Sequence, residues 1–533
     1  MGRTCGWFGV LVVAVATGCV ARRQPPAPPV QAAPAPPRFS SRADAVIESM
    51  RKRILGRRAS LRDLRRIVTE IAPHVERALQ QPELQDDLAA LARTRGMSLP
   101  EYRRYFQRKQ EADLLLESGG DPDAISSAGA CGVAQFLAGT GRRCGLRIDA
   151  ARSHAWTRVI RRHQAAIFWL EQQAPSFSKP APDGGTWGRE EWLAHHRQKL
   201  AEARAARRAC DERFDPARAI AAQTRYLVHL TRRYGDLDWA LQAYHGGEAG
   251  VHRTLNLYLA GSASGTLLPA VAARLTGPRR LDYEAVYFTT TPLGRSAAFY
   301  YLYGRSDDHR YYWWKVLMAE RAIALYRDDP AACEREWRRL RPTQRIEAVW
   351  YPDRDSLLFA DLDALRRGYR DGSLRPLPAN AARIGLRTRD LAPLDPANAG
   401  TYKGLRAEAM GALLHLARIY RRNGGKSPLT LVGMVTTERY SQELNRRHPQ
   451  QPPPGTPPGE WEPNLDYHPT GLCFDLAPPR DGWDQRVLAY ALGTLADRHR
   501  IAWLVERTQG PERWHVVPNP AYRDELVAPP PAR

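Results

Sequence analysis

Apolar residues return at helical spacing almost without a break from residue 41 to about residue 326, and near Tyr402 that texture gives way to alternating helix and short strand. A chain with this change of period folds as more than one body, and 533 residues exceed one ordinary domain. The expected fold is multidomain: a mostly α N-terminal part followed by a small α+β domain. In the first part Ile54, Leu61, Leu64, Ile67, Ile71 and Val75 set the helical period, and Pro73 and Pro82 interrupt it. Turns are expected at Gly119-Gly120, at Gly246-Gly247 and around Gly261. The spacing suggests a helical N-terminal region over 41–104, a larger helical domain over 105–328 and a charged helical insertion over 145–213. Residues 329–391 carry prolines, arginines and short apolar runs and read as a connector.

The last part, 392–525, is short enough to be one domain. GLRAEAMGALLHLARIYRRNGG (404–425) reads as an amphipathic helix closed by glycine, and LTLVGMV (429–435) as a buried strand. A loop is expected over 450–463, a helix over 488–500, and short strands at IAWLVER and WHVVP. No internal repeat is present.

The first residues bear on compartment. Arg3 precedes an apolar run, GVLVVAVA, too short to span a membrane as a mature helix. It ends Ala16-Thr17-Gly18-Cys19, which resembles a bacterial lipobox, with Ala16 where Leu is usual. The expectation is a leader over 1–18, lipidation at Cys19, and a Pro/Ala-rich tether over 19–40. The chain is then exported and lipid-anchored in the cell envelope, at the outer membrane facing the periplasm. Export permits disulfides; Cys144 and Cys210 flank the charged insertion and could staple its base, although five mature cysteines leave one over. No CxxC pair supports a cysteine zinc site. The net charge of +22 favours a polyanion: nucleic acid, an anionic membrane or an anionic cell-wall polymer. No nucleic-acid motif accompanies the basic residues, so no nucleic-acid partner is expected.

The densest chemical signal is LLLESGGDPDAISSAGACGVAQF (114–136). Glu117 follows three leucines and precedes two glycines, so a helix should end at it. Apolar neighbours and the negative end of the helix dipole both disfavour its charge, which suits a general acid. The segment resembles the soluble lytic transglycosylases through Glu117-Ser118, Ser126, Gly129-Ala130, Gly132-Val133 and Gln135. Downstream, YLVHLTRRYGDLDWALQAYHGGEAGV (226–251) is similar to the helix leading to that family's Ala-Tyr-Asn-x-Gly. Ala243, Tyr244 and Gly247 match, and His245 stands where Asn is usual.

This resemblance implies a lysozyme-like fold and cleavage of the MurNAc–GlcNAc bond of peptidoglycan by a single catalytic carboxyl. Glu117 would protonate the leaving oxygen and then act as base while the muramoyl 6-hydroxyl closes on its own anomeric carbon, leaving a 1,6-anhydro end. Ser126, Gln135 and Tyr244 are the implied substrate-binding residues, and no cofactor is implied. The alternative for each is core packing.

A second constellation lies in YHPTGLCFDL (467–476) and PERWHVV (511–517). Two histidines and a carboxylate make a reasonable zinc set with one position left for water, and a separate glutamate can take that water's proton. The two stretches resemble the D-Ala-D-Ala peptidases of the vancomycin-resistance type, with His468, Gly471 and Asp475 matching one motif and Glu512 and His515 the other. Cys473 replaces an Ala, and Asp466 stands where Ser often precedes the histidine. The resemblance implies Zn2+ on His468, Asp475 and His515, Glu512 as catalytic base, and Arg439 as a grip for a carboxylate or oxyanion. The expected partners are peptidoglycan glycan strands and stem peptides, with the membrane held through the N-terminal lipid. Two alternatives stay open: a transglycosylase with a degenerate, peptide-binding C-terminal domain, and a non-catalytic peptidoglycan-binding lipoprotein.

Overall fold

The computed structural model describes residues 39–277, 280–305, 307–340, 346–450, 465–506 and 511–528. The leader, Cys19 and nearly all of the tether lie outside the described residues, as does most of the 450–463 loop. No helix among the described residues is long and apolar enough to cross a membrane.

The chain is largely helical, with a small sheet near its C-terminus. Helix α1 (Leu99–Ser118) is the axis of the helical part. Ser98 starts it with a capping box: the Ser98 hydroxyl accepts the Glu101 N–H, and the Glu101 carboxylate accepts the Ser98 N–H at 2.9 Å. Gly119 ends it in the left-handed region at φ 65°. The helix therefore runs one residue past the expected end, and Leu114, Leu115 and Leu116 of its last turns are buried.

The charged insertion folds as an antiparallel hairpin of α2 (Ala150–Glu171) and α3 (Arg189–Cys210), tipped by paired strands Ser178–Pro180 and Thr186–Gly188. Its base is tied by charge rather than by a disulfide. Cys144 and Cys210 are free thiols, while Arg204 and the buried Arg207 both pair with Asp123 in the loop after Glu117. Arg207 also lies 3.7 Å over the Phe214 ring.

Helices Ala72–Leu79 and Gln85–Thr94 pack on α1, together with α6 (Tyr312–Asp328), while α4 (Pro216–Tyr234) and α5 (Leu237–Gly246) reach it through Gln223 and His245. A continuous apolar cluster runs through Phe106, Leu115, Val133, Leu227, Trp239 and Trp314. Across the α1–α6 seam Arg108 pairs with Glu320 at 2.8 Å and Arg327 with the buried Glu111 at 2.6 Å.

Among the described residues the C-terminal sheet has five strands: β1 (Leu386–Thr388), β2 (Leu429–Gly433), β3 (Phe474–Ala477), β4 (Ile501–Glu506) and β5 (Arg513–Pro518). Their order is β1-β2-β3-β5-β4, with β1 parallel to β2 and the other neighbours antiparallel. Helices α7 (Ala407–Arg422) and α8 (Gly482–Ala496) cover one face through Leu413, Leu416, Phe474, Leu476, Leu492 and Val516. Residues 329–391 do more than connect. They form helices Pro330–Leu340, Glu347–Trp350 and Leu362–Arg370 and supply edge strand β1. Their short apolar runs have no local period because their partners lie elsewhere: Ile346, Trp350 and Tyr351 pack with Tyr467, Leu472 and Val517 on the other face of the sheet. Phe299, from helix Ser296–Gly304, joins the α7–α8 cluster, and the Tyr287 hydroxyl donates to Asp497 at 3.1 Å.

Candidate functional site

Glu117 occupies the last turn of α1 with its side chain 14% exposed, so solvent reaches it. Its Oε1 accepts the Tyr312 hydroxyl at 2.8 Å and lies 2.9 Å from His245 Nδ1. The His245 and Tyr312 rings stack, 3.7 Å between centroids and 9° from parallel. Stacking fixes both polar tips on one carboxylate oxygen. The Tyr312 hydroxyl also bonds Asp113, one turn before Glu117, and Asp113 Oδ2 accepts Gln223 Nε2 at 2.8 Å. Asp113 is fully buried, and its carboxyl is pushed up to about 8, first by burial and then by the charge of Glu117. Tyr312 is held well above its usual range, again by burial first and then by Asp113 and Glu117. Asp113, whose carboxyl burial pushes up, thus shares the Tyr312 hydroxyl with Glu117.

The loop after α1 is built on glycines. Ser126 and Ala130 close a turn, the Ser126 hydroxyl accepting the Ala130 N–H at 3.0 Å. Gly132 has φ 76°, and a Cβ there would lie 1.7 Å from the Arg213 carbonyl oxygen. Gln135 adopts φ 49° and spends its amide on the Gly132 carbonyl at 2.8 Å. Tyr244 donates to the Ala134 carbonyl and stands edge-on to Phe136. Ser126, Gln135 and Tyr244 therefore all brace the loop that backs Glu117. Among the described residues, the side chains that hydrogen-bond Glu117 include His245, singled out in the sequence only as a departure, and Tyr312, which the sequence reading missed. Tyr312 sits in an aromatic run, YYWW, indistinguishable from core, and is 195 residues from its partner.

In the C-terminal part the sheet register places Asp475 opposite both His515 and Gly433. Asp475 Oδ1 is 2.7 Å from His515 Nδ1, and Asp475 Oδ2 is 3.2 Å from His468 Nε2. A ligand atom of His468, the Cys473 thiol and a ligand atom of His515 lie within 4.8 Å of one another. Gly433 permits this approach, since a Cβ there would lie 2.7 Å from Asp475 Oδ2. The donors that lie within this separation are two imidazoles and a thiol, with Cys473 where the sequence put Asp475; such a set fits a metal ion of the zinc type, and Asp475 sits beside both histidines.

Glu512 immediately precedes β5, and its carboxylate accepts the Trp514 indole N–H at 2.9 Å. Residues two apart share a face of a strand, so Trp514 lies opposite His515. Arg513, on the His515 side, is 3.7 Å from Asp475. Arg439 is exposed on helix Glu438–Arg447. Two buried groups outside the expected ligand set also reach this centre: the Cys473 thiol, seen in the sequence only as a departure, and Glu347, whose Oε1 is 2.7 Å from His515 Nε2.

Residues 193–262 match the family model described as Transglycosylase SLT domain. The match begins in α3, runs through α4 and α5, and takes in Ala243, Tyr244, His245 and Gly247; Glu117 and the C-terminal sheet lie outside it. No curated protein and no solved structure matches the chain. Over the helices that carry Tyr244 and His245 to Glu117, the chain is similar to a Transglycosylase SLT domain, which supports a peptidoglycan lytic transglycosylase built on a lysozyme-like helical fold.

Proposed function

We propose that the chain cleaves the MurNAc–GlcNAc bond of peptidoglycan with Glu117 as the single acid and base, leaving 1,6-anhydro-MurNAc ends. The observation that carries this reading is Glu117 at the end of a helix whose last turns are buried, gripped by Tyr312 and by His245 from the stretch that matches the SLT model. One phenolic hydrogen cannot donate to Asp113 and Glu117 together, so the two carboxyls and Tyr312 hold one further proton between them. Moving it from Asp113 to the Tyr312 oxygen, while Tyr312 gives its own hydrogen to Glu117, charges the general acid. Glu117 then protonates the leaving GlcNAc oxygen. The MurNAc 6-hydroxyl oxygen bonds to C1, and its proton returns to Glu117. No water is consumed, so the fragments together have the mass of the substrate. Mass spectrometry of digested sacculi tests this: muropeptides lighter by one water than hydrolysed ends are expected, and reducing MurNAc ends would overturn it.

The reading extends to an exported protein anchored in the outer membrane through Cys19, reaching the glycan by its Pro/Ala-rich tether. A second reading, a zinc peptidase acting on stem peptides, is favoured by the convergence of His468, Asp475 and His515 on one spot. In it Glu512 must leave the Trp514 indole to act as base.

A further inference from the structure

We propose that Glu347, contributed by the segment before the sheet and absent from both metal motifs, is a positioning residue of the C-terminal metal centre. Its carboxylate holds the outer ring nitrogen of His515 so that the inner one faces the metal; the proposal rests on the metal-binding reading of that centre. Both histidines share one arrangement. The nitrogen facing away from Asp475 is fixed by an acceptor: His468 Nδ1 by the Met434 carbonyl at 2.7 Å, His515 Nε2 by Glu347 Oε1 at 2.7 Å. The nitrogen facing inward, His468 Nε2 or His515 Nδ1, is turned to Asp475. A histidine whose outer N–H is given to a carboxylate has its tautomer and ring angle set and is a more basic ligand.

The simpler alternative is that Glu347 only docks its segment on the sheet. Docking alone does not need it. Ile346, Trp350 and Tyr351 already bury apolar surface against Tyr467, Leu472 and Val517, and a carboxylate with no exposed surface adds a desolvation cost that its bond to His515 must offset. Reaching across 168 residues to one ring nitrogen, it makes the metal's affinity depend on the seating of that segment.

The test compares the full chain with Glu347→Gln, which keeps the shape and removes the charge. Zinc affinity is measured by chelator competition, and the visible spectrum of the cobalt-substituted protein reports the ligand geometry. E347Q is expected to bind zinc about 10–100-fold more weakly and to shift the cobalt bands. Glycan cleavage and the melting temperature of the metal-free chain should stay as in wild type. Wild-type zinc affinity and an unshifted cobalt spectrum in E347Q would overturn the role of Glu347 alone. So would a fall in metal-free melting temperature large enough to account for the lost affinity, since that marks a docking residue. A wild-type chain that takes up neither zinc nor cobalt would overturn the metal-binding reading, and this proposal with it.

Discussion

Asp113 and Glu117 stand one helical turn apart with a single tyrosine hydroxyl between them, and this sets the pH behaviour of the site. Asp113 is raised from 3.8 to about 8 in the fold. A carboxyl raised by folding contributes stability that is complete below its unfolded value and is lost as pH rises through its folded value. The melting temperature should therefore decline between about pH 4 and about pH 8 in part because of Asp113. Asp113→Asn, neutral throughout, should flatten that part of the profile; an unchanged slope would remove Asp113 as its source. Tyr312→Phe breaks the link between the carboxyls. Its glycan cleavage should fall by about 10–100-fold and lose its dependence on a group titrating near 8, read from rate against pH. Glu117 was legible because its leucines, glycines and following motif are contiguous. Asp113 and Tyr312 were not, because inside helices a buried acid and an aromatic run look like core until the fold brings them together.

At the scale of elements, the glycine-rich loop behind Glu117 depends on backbone shape more than on side chains. Gly132→Ala places a methyl group where the Arg213 carbonyl sits, at a left-handed φ. It should cost at least about 1–3 kcal/mol and cut glycan cleavage with it, measured by denaturant unfolding and activity on one preparation. Wild-type stability in that variant would contradict the close approach. Helical period and strand texture gave the major elements; their ends were set by caps. The helix expected at 488–500 is Gly482–Ala496, because the Asp481 side chain accepts the Trp483 and Asp484 N–H groups and starts it earlier. It stops before His499, whose φ of 58° is incompatible with a helix. Residues 329–391 read as a connector because strand β1 and the Glu347 turn are specified by partners far along the chain. In the proposed metal centre, His515→Ala should abolish metal binding, whereas Glu512→Ala should keep the metal and lose any stem-peptide cleavage, checked by elemental analysis with a peptide assay. Metal lost in both would make Glu512 a ligand or a support.

For the whole molecule, the glycan reading rests on the helical part, the proposed stem-peptide reading of the sheet would add a second route to the same polymer, and the charge of +22 suits an anionic envelope. Cys19→Ser should release the protein from the membrane fraction and abolish fatty-acid labelling; a variant still labelled would refute lipidation there. The expected compartment rests on the leader alone, which lies outside the described residues, and nothing in the packing of the helices depends on it. The central claim is that one carboxyl, Glu117, performs the glycan chemistry. It is tested most directly by the rate of anhydro-muropeptide release from purified sacculi by wild type and Glu117→Gln, with sacculus binding measured in parallel. The account predicts that the variant binds sacculi and melts like wild type while release falls by at least about 10²–10⁴-fold; release at the wild-type rate by Glu117→Gln would contradict it.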